Sequence, residues 1–157
     1  MVAGVSDIKT KNDFGNAFQI HIPVRFQHTD PAGLVFYPRY FEMINQLVED
    51  WFRDGLGTDF RTLHMVHGSG VPTVHTKMDF PRPARLGDEL IFTLRVHRLG
   101  RSAIDLDIHA FNISTGYECL HGCITLVYVD TSGPTAQAWP TALRRRIATY
   151  ISNPETP

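Results

Sequence analysis

The sequence predicts an α+β fold in which an antiparallel sheet covers one long helix, and three observations carry that expectation. Tyr40, Phe41, Ile44, Leu47, Val48, Trp51 and Phe52 recur at three- and four-residue steps, which lays one apolar stripe along a helix. Segments before and after it alternate apolar and polar residues with a period of two, the mark of half-buried strands. The links between the later segments, at Leu99-Gly100 and Asn112 to Gly116, are short enough for antiparallel hairpins. A helix with so wide a stripe needs a sheet to cover it.

In chain order, Met1 to Ala17 reads as a loose polar leader. The first strand starts at Phe18, with Ile20, Ile22, Val24 and Phe26 on one face. Pro23 falls on the polar phase and places this strand at an edge or a bulge. Asp30-Pro31-Ala32-Gly33 has the residues a type I turn prefers, and Pro38 suits a first helical turn. Gly55 and Gly57 end the helix, and Thr58 to His67 is a candidate second, short one. Strands are expected over Val71 to Phe80, Glu89 to His97, Ser102 to Phe111 and Tyr117 to Val129. A terminal helix is expected over Trp139 to Tyr150, with Arg144 to Arg146 as its solvated side. The expected organisation is a leader over 1–17, one domain over 18–150 and a flexible tail over 151–157.

At 157 residues the chain suits a single domain, and a net charge of −1 gives no support to nucleic-acid or anionic-membrane binding. No apolar run approaches the roughly 20 residues that span a bilayer. Met1 to Asn16 lacks the apolar core of a secretory signal, and Cys119 and Cys123 read as reduced thiols, so a cytoplasmic protein is expected. Cys119, His121 and Cys123 share a strand face by spacing, but they lack the tight turn and second pair of a structural zinc site, and no metal is expected.

The segment Phe26-Gln27-His28-Thr29-Asp30-Pro31-Ala32-Gly33-Leu34-Val35-Phe36-Tyr37-Pro38-Arg39-Tyr40 resembles the signature of the 4-hydroxybenzoyl-CoA thioesterase family. Asp79-Phe80-Pro81-Arg82-Pro83-Ala84-Arg85-Leu86-Gly87-Asp88 resembles a second, less specific marker of the same family. The likeness runs from about Gln19 to Val129. It implies a hotdog fold, a homodimer or a dimer-of-dimers tetramer, active sites at the subunit interface, and hydrolysis of an acyl- or aroyl-CoA without a cofactor. By the same likeness Asp30 matches the catalytic carboxylate, and Tyr37 matches the position whose backbone N–H holds the thioester oxygen.

The chemistry is coherent on its own terms. Thioester hydrolysis needs a base or nucleophile at the carbonyl carbon and a donor for the oxyanion. A helix N-terminus offers unpaired N–H groups and about half a positive charge. An Asp opening an Asp-Pro turn otherwise serves the turn itself, through its own hydrogen bond.

His28 replaces an acid that many members of the family carry, and it is a candidate to tune Asp30 or to contact substrate. Gly33, Phe36 and Thr73 are the other candidate substrate contacts, Thr73 closing the pocket-like stretch Gly70-Val71-Pro72-Thr73. Arg98, Arg101 and Ser102 are candidates for the nucleotide of CoA, because its phosphates favour arginine. Glu42 and Glu49 are fallback carboxylates on the helix. An aromatic acyl group is favoured. The alternatives are a short-chain aliphatic acyl-CoA thioesterase and a module that binds acyl-CoA without cleaving it.

Overall fold

The structure, a computed structural model, describes residues 14–152. Five strands form an antiparallel sheet in the order β1-β4-β5-β6-β3: β1 Phe18–Pro23, β3 Thr73–Asp79, β4 Glu89–Leu99, β5 Ala103–Asn112 and β6 Glu118–Val127. A small second sheet joins β2 (Ser69–Gly70), β7 (Val129–Asp130) and β8 (Thr135–Ala136). Helix α1 spans Tyr37–Asp50 and continues into a π-helical turn at Trp51–Gly55, and α2 spans Thr141–Ala148. Among the described residues no helix is long and apolar enough to cross a membrane.

The helix stripe and the inner face of the sheet form one apolar core. Tyr40, Met43, Ile44, Leu47, Val48, Trp51 and Phe52 are buried against Leu90, Phe92, Leu94, Ile104, Leu106, Ile108, Leu120, Ile124 and Leu126. Burying such side chains contributes about 1.5–3 kcal/mol each, so these facing surfaces are what fix α1 against the sheet. The alternation expected for Ser102 to Phe111 is visible in β5, where Ile104, Leu106, Ile108 and Ala110 are buried and the residues between them are not. This is the hotdog arrangement: an antiparallel sheet wrapped round one long helix. The short helical stretch expected within Thr58 to His67 appears as a turn over Thr62–Val66.

Several elements depart from the expected boundaries. The first strand stops at Pro23, and Phe26, expected on its apolar face, lies in a 3-10 turn with 82% of its surface exposed. Backbone bonds from Val24 N to Asp88 O and from Gly87 N to Val24 O, at 2.8 and 3.1 Å, divert the chain there.

The part of the leader that is described is not loose. Phe14 packs on Phe111 with ring centroids 5.2 Å apart, Arg95 donates to the Phe14 carbonyl, and Asn16 donates to the Thr149 carbonyl at 3.0 Å. The rest of the leader, 1–13, and the tail from 153 lie outside the described residues. The first two tail residues are joined to β4, because Ile151 bridges Val96 and Ser152 N donates to Val96 O at 3.1 Å. Of the three arginines expected on the solvated side of the last helix, two grip neighbouring carbonyls, Arg144 that of Gly100 and Arg146 that of Leu56.

Strand β6 carries a bulge at Cys119, where the register with β5 shifts between Ala110 opposite Leu120 and Phe111 opposite Glu118. The extra residue turns Cys119 inward beside Leu120, both buried, while His121 and Cys123 are only partly covered. Two positions beyond Leu120, Gly122 lies against β3 so closely that a Cβ there would overlap the Lys77 carbonyl oxygen and the Met78 side chain. Only glycine fits this contact.

Candidate active site

The candidate site is a hairpin between β1 and α1, built almost wholly from backbone bonds. Thr29 bridges Val35, and Phe36 N donates to His28 O at 2.9 Å. Inside that pair, Asp30 N donates to Leu34 O at 2.8 Å and Gly33 N to Asp30 O at 3.0 Å. Gly33 takes φ +76°, a left-handed conformation that other residues adopt only with strain. The Asp30 carboxylate closes the turn from within, its Oδ1 accepting from Ala32 N at 2.9 Å and from Leu34 N at 3.2 Å.

The second sequence marker has a mechanical role that its spacing did not reveal. Val35 N donates to Ala84 O and Leu86 N to Gly33 O, both at 2.9 Å, so the stretch Ala84–Leu86 is strapped along the hairpin. That strap is braced in turn. Asp88 Oδ2 accepts from Arg85 N at 2.8 Å, and Gly87 turns at φ +90°. The two motifs are halves of one object.

Asp30 is half-buried and lines a cleft of about 600 Å³ with Phe26, Thr29, Pro31, Gly33 and Leu86. Its Oδ2 takes no hydrogen bond among the described residues. The hairpin then runs directly into α1. Phe36 caps the helix in an extended conformation without a side-chain cap bond, and Pro38 follows Tyr37 in the first turn. Tyr37 N donates to no backbone carbonyl among the described residues, and its side chain is 61% exposed. The segment thus brings His28, Asp30, Gly33, Phe36 and Tyr37 into one continuous unit.

Burial holds the pKa of His28 below the ordinary histidine value. Glu42 opposes that shift, and Arg39 and Arg25 reinforce it. Glu42, the first fallback carboxylate, is exposed and paired to Arg39 at 2.8 Å, and Glu49 is exposed farther along α1.

A single chain does not bring the remaining expected residues to this cleft. Thr73 opens β3, six residues and so roughly 20 Å of strand from the end that leads to the Ala84–Leu86 strap. It lies next to a different cleft, of about 380 Å³, lined by Phe60, His64, Gly70, Val71 and Pro72. Arg98, Arg101 and Ser102 lie at the turn between β4 and β5, the opposite end of β4 from Glu89. Arg98 Nε donates to Asp105 Oδ2 at 2.8 Å. The Thr125 hydroxyl first, and then Arg98, hold the Asp105 carboxyl below its usual range. Arg101 is exposed, with no side-chain partner among the described residues. Among those residues no group of three or more His, Cys, Asp or Glu is placed to hold a metal ion. Burial pushes the Cys119 thiol up to about 11, far from a thiolate ligand at neutral pH.

Known proteins share this architecture. A 1,4-dihydroxy-2-naphthoyl-CoA hydrolase of Acaryochloris marina is 28% identical over 128 residues, covering 82% of this chain and 90% of that protein. One from Synechococcus elongatus is 31% identical over 91 residues, covering 57% of this chain and 66% of that protein. The crystal structure of a 1,4-dihydroxy-2-naphthoyl-CoA thioesterase from Synechocystis superposes with a TM-score of 0.77 at 20% identity, over 84% of this chain and 96% of that one. The thioesterase-like superfamily model matches residues 24–147, from the end of β1 through the hairpin, helix and sheet to α2. This chain belongs to the thioesterase-like superfamily and is a thioester hydrolase of hotdog fold.

Proposed function

We propose that the protein hydrolyses an aromatic acyl-CoA to the free acid and CoA, using the Asp30 carboxylate and the backbone N–H of Tyr37. The observation that carries this reading is the arrangement of Asp30. One carboxylate oxygen is held by two hairpin amides, while the other, on a residue that lines a cleft, is unengaged among the described residues, seven residues ahead of the first amide of α1. Anchoring one oxygen fixes the direction of the other, which is what positioning a nucleophile or base requires. In one route Oδ2 attacks the thioester carbon, expels the CoA thiolate and leaves a mixed anhydride that water then cleaves. In the other, Oδ2 takes a proton from water, which attacks the same carbon. In both, the carbonyl oxygen gains negative charge in front of the helix terminus. The thiolate takes up a proton on leaving, so no cofactor is needed.

The aromatic preference is supported by the 1,4-dihydroxy-2-naphthoyl-CoA substrate in the relatives' names and by Phe36 beside the site. The working unit in this proposal is a homodimer, paired further into a tetramer. Strand β3 is a sheet edge with every residue except Met78 exposed, Val74 among them at 61%. Such an edge invites pairing with a second copy. That copy would supply Thr73 and the Arg98–Ser102 turn, which one chain keeps far from its own Asp30.

The deciding experiment offers purified protein benzoyl-, 4-hydroxybenzoyl-, 1,4-dihydroxy-2-naphthoyl-, acetyl- and hexanoyl-CoA and follows free thiol, with sedimentation at the assay concentration. Thiol release fastest with the aromatic esters, from a dimer or tetramer, is expected. Binding without release would make this an acyl-CoA-binding module. Faster release from the aliphatic esters would make it a short-chain thioesterase, and full activity in a monomer would end the assembly claim. In single turnover in ¹⁸O-water, label in Asp30 establishes the anhydride route with water attacking the Asp30 carbonyl, because neither the general-base route nor attack at the acyl carbon labels that carboxylate.

A further inference from the structure

We infer that His28 is a positioning residue whose neutral imidazole latches the Asp30 hairpin to α1, and that protonating this imidazole releases the latch and lowers turnover. The inference rests on the reading of Asp30 as the reacting carboxylate. Three hydrogen bonds converge on His28. Its backbone N–H donates to Arg25 O at 2.9 Å, its ring Nδ1 accepts from Arg25 N at 2.8 Å, and its carbonyl accepts from Phe36 N at 2.9 Å. The first two close a reciprocal ring round the 3-10 turn, and the third ties that turn to the residue that caps α1. Asp30 follows two residues later, so the latch sets where the hairpin stands relative to the amides of the helix terminus.

The latch depends on one protonation state. Nδ1 can accept from Arg25 only while it carries no proton, which places the ring proton on Nε2. In the imidazolium both nitrogens are donors, so Nδ1–H would face Arg25 N–H and the bond would be lost. The charged groups facing His28 are Glu42 and Arg39 on α1 and Arg25 in its own turn. Glu42 would favour the cation, but Arg39 already pairs it at 2.8 Å. Burial, Arg39 and Arg25 all favour the neutral ring. The folded protein therefore binds this proton less readily than the unfolded chain does. The latch stays intact as pH falls through the ordinary histidine value of about 6.5, while the stability it lends begins to decline, and the bond itself is lost only as pH falls through the lowered folded-state value. A pure capping role would stabilise the turn without giving turnover this titration.

The test compares kcat and KM for benzoyl-CoA from about pH 4.5 to 8.5 in wild type, His28→Asn, His28→Ala and Asp30→Asn. The asparagine amide oxygen can replace Nδ1 as an acceptor and does not titrate. His28→Asn is expected to lose a few-fold in kcat at pH 8 and to lack the wild-type decline that His28 titration produces below the ordinary histidine value. His28→Ala is expected to lose about tenfold in kcat at pH 8, a deficit that shrinks as the wild-type imidazole protonates at low pH, with KM changed by less than about threefold. An unaltered acid limb in His28→Asn, or full kcat in His28→Ala, would overturn the proposal. A readout independent of activity is the ¹⁵N spectrum of the ring. The Nε2–H tautomer is expected at pH 7.5, with the amides of Arg25, Asp30 and Phe36 shifting together as His28 titrates. A protonated Nδ1 at pH 7.5, or amides indifferent to the titration, would also overturn it. Retained turnover in Asp30→Asn would instead sink the reading of the reacting carboxylate, and the ring spectrum would still decide the latch.

Discussion

The Asp30 hairpin and the Leu99–Ser102 turn are both tight corners at strand ends closed by backbone bonds, yet they differ in the side chains they carry. The hairpin is closed by its own backbone and strapped to Ala84–Leu86 by more backbone, which leaves one carboxylate oxygen and the first helix amide unengaged among the described residues. The other turn has backbone bonds too, Gly100 N to Ala103 O, Tyr128 N to Ser102 O and Trp139 N to Arg101 O, but long arginines also grip it, Arg98 on Asp105 and Arg144 on the Gly100 carbonyl. A corner made of backbone can hold chemistry to a fixed geometry. A corner that carries long arginines can change their partners, which suits it to gripping a flexible charged ligand.

Substitutions at the two corners test this difference. Asp30→Asn should lower kcat by at least about 10²-fold. It should shift the Tm by no more than about 2 °C, because the asparagine oxygen can still accept from Ala32 and Leu34. A large fall in Tm would mean that the charge itself builds the hairpin. Arg101→Ala should raise KM for CoA esters by about three- to tenfold with kcat unchanged. Arg98→Ala should raise KM less and cost under about 1 kcal/mol in denaturant melts, as expected of an exposed ion pair. An equal effect from both would remove the distinction between the free arginine and the paired one. Gly33→Ala should cost about 1 kcal/mol, from the left-handed conformation alone, since no atom lies within 4 Å of the added Cβ. Tyr37→Phe should change turnover by less than about twofold, because the proposed contact is a backbone N–H that any residue there would supply.

The parts of the fold legible in the sequence are those where a period runs uninterrupted. Strand β5 keeps its period for ten residues with burial following position by position, and the α1 stripe holds except that Phe41 is only partly buried and Met43, outside the stripe, is buried. The pattern misleads where one local event shifts its phase. Pro23 and the bonds to Gly87 and Asp88 end β1, so Phe26 no longer belongs to the face its spacing assigns. The bulge at Cys119 does the same in β6 and separates the three residues that spacing had grouped. Ile91 and Thr93, on the polar phase of β4, are buried as well. Phe14 could not be foreseen as a packed residue, since its partner Phe111 is remote in sequence and no local period points to it.

The candidate site divides in the same way. The placement of Asp30 and Gly33 in one turn and of Tyr37 at the helix start was readable because turn and helix-start chemistry are local. The strap from Ala84 to Leu86 was visible only as a motif, with nothing in the spacing to say that it braces the first. The distance of Thr73 and Arg101 from Asp30 is a property of strand order and was not readable at all.

The missing side chain at Gly122 governs how the sheet comes to an end. With no methyl group to hold the strands apart, the backbone of β3 sits directly against β6, so the last strand adheres by its ladder more than by its outward side chains. Most outward positions of β3 are therefore free to vary without loosening the strand. The surface that a neighbouring molecule would meet can be rewritten residue by residue while the scaffold behind it stays the same.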